Sequence, residues 1–600
     1  MTSRIEGVRF WLPVAVMAVF GVYVSQKLVR SHVKPSVNSA SYGFSSELPA
    51  RRGTICCKGG RPAAESIPLW RYSLDPESMG SKSLPREKVM ETIASTLSLP
   101  CAKIADMASR KSGPGWRHQF IAESDDPEIF AVMSDRKKVL GVAIDDLQRR
   151  KYLGGRMLSH VIGSVNAEGV GSCGIEQRFN AHLTGTPGKI EGIRDAHGHE
   201  IRDRRVTSVP ATPGDTVSLT IDMNLQYAAE TALRWGMAEF GAESGWCIVM
   251  NASTAAVLAL ASMPDFDPVL YGKATDTMKV NRAVAYNYEP GSVMKPITAA
   301  AAINRGRATP ETLYNTDRHD DRYYKLPGDG SHKWPEKMSL KDAIVHSSNI
   351  VMGKVGYDLG PECVYETLKS FGFGEKTGIE LPGEQYGILR QWKKWDKASW
   401  SRVPIGQAVS VTAIQLAGAY QTLANDGVRM HPHIVEKVVD VEGRLTYAPN
   451  NAPAAVAVKP ETARKVRQMM VGVSETGGTA RRARVKGYSV AGKTGTAQKA
   501  RNGIYLPGLY CATFCGIVPS GVMQYDLDGK KHFADPEIVI LVTLDFDHNA
   551  TYHQGGNSSA VVFRKLAQYA MRYLGVAPDR PDELLPDASG EEEVELLKLL

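Results

Sequence analysis

The stretch Glu289-Pro290-Gly291-Ser292-Val293-Met294-Lys295 sets a hydroxyl and an amine three residues apart, where a helix is due to begin. Pro290 and Gly291 interrupt the preceding chain and the alanine-rich run 297–303 favours helix, so the spacing predicts a helix starting near Ser292. Positions i and i+3 of such a helix share a face with Cβ atoms roughly 5–6 Å apart, close enough for the Lys295 amine to take the Ser292 proton directly. Free backbone N–H groups and the helix dipole would favour negative charge developing beside Ser292. Pro296 removes one backbone donor, so a distorted first turn is expected and not a broken helix.

Two later strings could complete a site. Ser347-Ser348-Asn349 stands near the front of a helix expected over 340–357, and there the Ser347 hydroxyl and Asn349 amide would relay a proton and orient the Ser292/Lys295 pair. Lys493-Thr494-Gly495-Thr496 follows the strand-like run 487–492. On a strand edge, Lys493, Thr494 and Thr496 suit a substrate carboxylate, Gly495 leaves room for a ligand backbone, and the Thr496 N–H faces a reacting carbonyl. Each string alone is weak, since Ser-x-x-Lys arises roughly twice by chance in a chain of this length. It recurs as Ser31/Lys34 and Ser134/Lys137; Ser36/Asn38 and Ser164/Asn166 repeat the second, and Lys376-Thr377-Gly378 the third. None of these has the matching helix or strand context, and Lys376-Thr377-Gly378 falls in a glycine-rich turn that reads as structural.

Positioning three such strings takes a large core. With 600 residues, 43% hydrophobic and 8% aromatic, the chain has ordinary globular composition for several domains. Its net charge of +8 contains no long basic run, which fits acidic surroundings such as membrane surfaces or anionic glycans and gives no indication of nucleic acid. Residues 10–28 hold an apolar segment just long enough to span a bilayer, read as an uncleaved anchor with a cleaved signal as the alternative. Flanking charges do not decide its orientation. A linker over 29–50 leads to a mixed α/β stalk over 51–213, with helical spacing over 88–97 and 128–152. The main domain covers 214–577: a strand over 217–221, a helix over 225–237, a hairpin over 246–262, helices over 340–357, 363–371 and 414–425, then strands over 488–491, 510–518 and 538–545. Strands, a helical middle and strands again imply one sheet closed by both chain ends. The acidic tail 578–600 is expected to be disordered.

The eight cysteines form no disulfide framework. Cys511 and Cys515 on one strand would lie roughly 13 Å apart, beyond bridging distance. His197-Gly198-His199-Glu200 and His431-Pro432-His433 carry ligand residue types without the rest of a metal shell, and His346 beside Ser347 lacks a nucleophile-elbow context, so all are read as structural.

Ser-x-x-Lys, Ser-x-Asn and Lys-Thr-Gly in this order and context resemble the motif set of serine β-lactamases and penicillin-binding proteins. The likeness extends to Arg52-Gly53-Thr54-Ile55, Gly174-Ile175-Glu176, Leu219-Thr220-Ile221-Asp222 with Leu225-Gln226, and Leu423-Ala424-Asn425-Asp426-Gly427, landmarks similar to those of class B penicillin-binding proteins. The compact stalk, the lack of a glycosyltransferase-like domain and the Ser-Ser-Asn form look most like the division-specific type, the septal peptidoglycan D,D-transpeptidase. Cys56-Cys57-Lys58-Gly59 and Gly154-Gly155-Arg156 depart from the family pattern.

The resemblance implies an α/β (α+β) transpeptidase fold: a central antiparallel sheet flanked by helices, a dimerisation-type stalk over 51–213, one N-terminal transmembrane helix after a cytoplasmic tail over 1–9, and a periplasmic or extracellular catalytic domain. It implies Ser292 as nucleophile, Lys295 as its base with an amine made neutral by desolvation and by Lys493, Ser347 as proton relay and Asn349 as positioning amide. Lys493, Thr494, Gly495 and Thr496 would bind the substrate, with no metal and no cofactor. Implied partners are stem peptides ending in D-Ala-D-Ala, β-lactams, a polytopic lipid II polymerase and other division proteins at the inner membrane. The alternatives are an elongation-type transpeptidase, a β-lactamase-like hydrolase, and a non-catalytic penicillin sensor or scaffold.

Overall fold

The computed structural model describes residues 43–76, 78–80, 84–110, 119–193, 207–501, 504–526, 528–548 and 550–584. The expected anchor over 10–28, the pairs Ser31/Lys34 and Ser36/Asn38, His197 and His199, and tail residues 585–600 lie outside them. Two compact units emerge, 1–51 with 185–214 and 52–184 with 215–600. Within the first, strands Gly43–Leu48, Gly188–Ile193 and Thr207–Val209 form an antiparallel sheet.

The second unit is built on a five-stranded antiparallel sheet of β1 (Ser244–Asn251), β2 (Val257–Met263), β3 (Ala491–Arg501), β4 (Ile504–Val518) and β5 (Ile538–Phe546), in the order β2-β1-β5-β4-β3. The late strands return to the open edge of the early hairpin, so both ends of the domain close one sheet, as the element order predicts. Strands β2 and β5 are buried at every position, which explains their nearly continuous apolar sequence, interrupted only by Ser262, Thr543 and Asp545. Helices α1 (Met223–Phe240), α2 (Lys295–Asn304), α3 (Leu340–Val345), α4 (Asn349–Leu359), α5 (Ala413–Ala424), α6 (Pro460–Ser474) and α7 (Ser559–Tyr573) surround it. Helix α5 is buried at all of its residues and starts with a capping box between Thr412 and Gln415. It packs against β1, β4 and β5, and its Tyr420 hydroxyl donates to the Val293 carbonyl at 2.9 Å, tying the sheet to the turn that carries Ser292.

Four expectations are corrected. The helical spacing over 128–152 resolves into a helix, Pro127–Leu140, and a strand, Val142–Tyr152. Gly141 at φ 63° ends the helix, and the next eleven residues pair along the whole of strand Pro62–Leu74 from the Ala64 position onward. The helix expected over 340–357 is two helices, α3 and α4, broken at His346-Ser347-Ser348. The strand expected over 488–491 begins only at Ala491, so Lys493-Thr494-Gly495 opens β3 and does not close a strand. The tail does not begin at 578: Asp579 is buried and accepts from the Ser489 N–H at 2.8 Å, while Arg580 pairs with Glu475 at 2.6 Å.

The stalk landmarks form a buried ionic knot. Both oxygens of the Glu176 carboxylate are taken at 2.7 Å, one by Arg52 and one by Arg150, in a site with almost no solvent access. Removing the Glu176 carboxylate would leave two buried guanidiniums without their counter-charge, which makes the knot a structural fixture. Arg156, at the atypical Gly154-Gly155-Arg156 turn, reaches Asp265 at 2.6 Å. All eight cysteines are free.

Candidate active site

Ser292 lies in a single 3-10 turn, Gly291–Met294, that runs directly into α2 at Lys295. This is the distorted start that Pro296 predicts. Gly291 takes φ 58° and its N–H donates to the Gly406 carbonyl at 2.9 Å, so the turn is clamped from outside as well as by Tyr420. Lys295, first residue of α2, is fully buried.

The break between α3 and α4 puts the second string beside that amine. Ser347 sits at φ 62°, left-handed backbone that costs a non-glycine residue roughly 1–3 kcal/mol. Ser348 then caps α4, its hydroxyl accepting from the Val351 N–H at 3.2 Å. The result is an arc around Lys295: its Nζ donates to the Ser347 carbonyl at 2.6 Å and to Asn349 Oδ1 at 2.7 Å, and meets Ser347 Oγ at 3.1 Å. Asn349 Nδ2 donates to the Gly328 carbonyl at 2.8 Å, which fixes the amide with its oxygen toward the lysine. Among the described residues Ser292 Oγ has no hydrogen-bond partner, so the direct Ser292–Lys295 bond expected from helical spacing is not formed at rest.

Burial lowers the Lys295 ammonium to about 7, and Asp329 opposes the shift. Lys493 is also fully buried and lowered well below the ordinary amine range, first by burial and then by repulsion from Lys295. Desolvation thus acts on Lys295 as expected, whereas the charge that acts on it is that of Asp329, which opposes the shift, and not that of Lys493. A neutral amine has two N–H donors and one lone pair. The Ser347 carbonyl and Asn349 Oδ1 take both donors, leaving the lone pair for a hydroxyl proton.

The third string closes the site from the sheet. A Cβ at Gly495 would lie 2.8 Å from the Pro290 carbonyl oxygen and 3.1 Å from Val293 Cγ1, so this glycine lets β3 press on the Ser292 turn. Its space is taken by protein, not kept for a ligand backbone. Thr494 is nearly buried, its hydroxyl 3.2 Å from that of Thr479, while Thr496 is exposed and accepts from the Gly555 N–H at 3.2 Å. The segment Gln554-Gly555-Gly556-Asn557, opaque in sequence, thereby has a role. A Cβ at Gly555 would lie 2.6 Å from the Gly495 carbonyl oxygen of β3 and one at Gly556 2.2 Å from that of Thr479, so Gly555 lets the segment approach β3 and Gly556 lets it approach the loop that precedes β3.

Sequence reasoning missed Asp329. Its Oδ2 accepts from Ser348 Oγ at 2.7 Å and from Trp334 Nε1 at 2.8 Å, and its Oδ1 accepts from the Asn349 N–H. One carboxylate therefore holds the α3–α4 break in place. Gly328-Asp329-Gly330 stands in a region without periodicity, and its flanking glycines are the only local signal. The decoys take packing or turn roles: Thr377 donates to Glu384 within its own turn, His346 tilts against Trp334 with centroids 5.6 Å apart, and buried His433 bonds to the His431 carbonyl.

Residues 245–568 match the model of the penicillin binding protein transpeptidase domain, over half of the chain. The chain belongs to the penicillin-binding transpeptidases. In this transpeptidase, residues 47–219 match the penicillin-binding protein dimerisation domain. It is 32% identical over 473 residues to penicillin-binding protein PbpB of Mycolicibacterium smegmatis, covering 77% of this chain and 70% of the relative. It is 29% identical over 542 residues to the probable peptidoglycan D,D-transpeptidase PenA of Neisseria meningitidis, covering 89% and 86%. The crystal structure of penicillin-binding protein 3 from Mycobacterium tuberculosis superposes with a TM-score of 0.65 at 27% identity, over 89% of this chain and 99% of that one.

Proposed function

We propose that this penicillin-binding transpeptidase is a peptidoglycan D,D-transpeptidase of septal wall synthesis, with Ser292 as its acylating nucleophile. The observation that carries the reading is the buried Lys295 amine, three residues after Ser292, whose donors are taken by the Ser347 carbonyl and Asn349 Oδ1 beside the Ser347 hydroxyl and which burial lowers to about 7.

Ser292 Oγ attacks the penultimate D-alanine carbonyl of a stem peptide and its proton passes to Lys295. Ser347 Oγ relays that proton to the departing amine, the C–N bond breaks, and terminal D-alanine leaves. Asn349 holds Lys295 and the substrate amide. The backbone N–H groups of Ser292 and Thr496 receive the oxyanion, where one donor contributes about 3–4 kcal/mol. Lys493, Thr494 and Thr496 bind the terminal carboxylate, whose charge restores the ammonium that burial and Lys295 suppress on Lys493. A neighbouring stem's amine then attacks the ester, takes the acyl group and frees Ser292. β-Lactams mimic the first step and remain on the serine.

The apolar segment 10–28 anchors the chain, with residues 1–9 cytoplasmic and the catalytic domain on the outer side of the inner membrane, where a polytopic lipid II polymerase and other division proteins meet it. Among the described residues no helix is long and apolar enough to cross a membrane. The septal assignment rests on the compact stalk and the Ser347-Ser348-Asn349 form.

The detergent-solubilised chain, given uncross-linked glycan strands with pentapeptide stems, is expected to release one D-alanine per cross-link formed. D-alanine released without cross-links would replace the transferase by a hydrolase. Asp329 gives a sharper test of the site. Asp329→Asn is expected to slow β-lactam acylation about tenfold, because it removes the charge-assisted acceptors that hold Ser348 and Asn349. It also removes the charge that raises Lys295, so the alkaline-rising limb of the acylation profile should move to lower pH. A slower rate with an unmoved limb would mean that Asp329 is structural only.

A further inference from the structure

Strands Gln524–Tyr525 and Lys531–His532 form a separate two-stranded hairpin, with Gln524 opposite His532 and Tyr525 opposite Lys531. Side chains alternate along a strand, so Met523, Tyr525, Lys531 and Phe533 share one face and Gln524 and His532 share the other. The second face is tied down. Gln524 Oε1 accepts from Arg580 Nε at 3.1 Å, and His532 bonds Asp526 at 2.9 Å. The first face is bare: Met523 is 44% exposed, Tyr525 64% and Phe533 52%. A two-stranded hairpin is marginal unless something packs on it, and three large apolar side chains in one patch mark a covered surface.

We propose that the chain's own residues 591–600 dock on this face. Arg580, bound to the hairpin's opposite side, lies four residues before Leu584, where the described chain ends. From Leu584 the stretch 585–600 can extend up to roughly 50 Å, ample to round a two-stranded hairpin. Its chemistry matches the patch. Glu591, Glu592, Glu593 and Glu595 face only one lysine of their own, Lys598, and Val594, Leu596, Leu597, Leu599 and Leu600 supply the apolar side chains. Lys530 and Lys531 are exposed, and their side-chain ammonium groups have no acidic partner among the described residues. Tethering through Arg580 places the segment at millimolar effective concentration, which a second copy or a separate partner does not share.

The test places p-benzoylphenylalanine at Tyr525 in the detergent-solubilised full chain, mixed with isotope-labelled copies, and maps the photo-crosslinks by mass spectrometry. Crosslinks from position 525 to 585–600 within one isotopic species are expected. They should disappear on truncation after Leu584 and fall severalfold when Glu591→Lys, Glu592→Lys and Glu593→Lys are combined. Fluorescent penicillin labelling should be unchanged in these variants, showing that the fold is intact. Crosslinks between light and heavy copies would replace the tail with a second molecule as the occupant. Efficient photoactivation with no product in 585–600 would overturn the docking outright.

Discussion

Lys295→Ala is expected to lower the second-order rate of acylation by a β-lactam by about 10³–10⁴-fold. The size follows from the geometry. The amine is enclosed, its two donors are occupied by the Ser347 carbonyl and Asn349 Oδ1, and no other group in the arc carries a free lone pair of comparable basicity. Its protonation also dictates the pH dependence. Because burial lowers this lysine to about 7, the base is protonated and idle below that value and neutral above it. Acylation should therefore rise with pH through a single limb near 7, and an exposed lysine would place the limb about three units higher. The sign for stability is the same. With the folded value below the unfolded one, the unfolded chain binds the extra proton between them, so this group's contribution improves as pH rises from about 7 toward the ordinary lysine range. Stopped-flow acylation across pH, with thermal unfolding of the variant as control, checks both statements.

Ser292→Ala is expected to remove stable acylation altogether, a loss of about 10⁶-fold in a reaction that depends on one nucleophile. Ser347→Ala should cost far less, about 10²-fold, because a relay can be replaced by water but an ester oxygen cannot. The comparison matters because, at rest, Lys295 contacts the Ser347 hydroxyl and not that of Ser292. On proximity alone Ser347 is the better-activated hydroxyl. What favours Ser292 is its place at the N-terminal turn, where free backbone N–H groups meet β3 across the close approach of Gly495 to Pro290. The acylation rates of the two variants are expected to differ by roughly four orders of magnitude.

Local pattern carried β1, β2, β4, β5, α1 and α5, because buried strands and amphipathic helices write their period into the sequence. It failed where a single residue changes the chain's course. Helical spacing continues through Ser347, and only the left-handed backbone at that residue divides the expected helix in two. Gly141 ends a helix whose apolar spacing continues into a strand for the same reason. Ser292, Lys295, Ser347, Asn349 and Lys493 were legible as strings, and the structure brings their elements together. Asp329 was not legible, because its role comes from a loop that returns over nineteen residues to Ser348. Gly495 was read for the right position and the wrong neighbour: its missing side chain makes room for the Pro290 carbonyl. Likewise the acidic character of the tail hid the anchoring of Asp579 and Arg580.

The most direct test is to label the full chain with a fluorescent penicillin, digest it, and locate the adduct by mass spectrometry in the wild type beside Ser292→Ala. A stable adduct on Ser292, absent from the variant, is the predicted result. An adduct on Ser347 or elsewhere, or one that survives in Ser292→Ala, would contradict the assignment of Ser292 as the nucleophile.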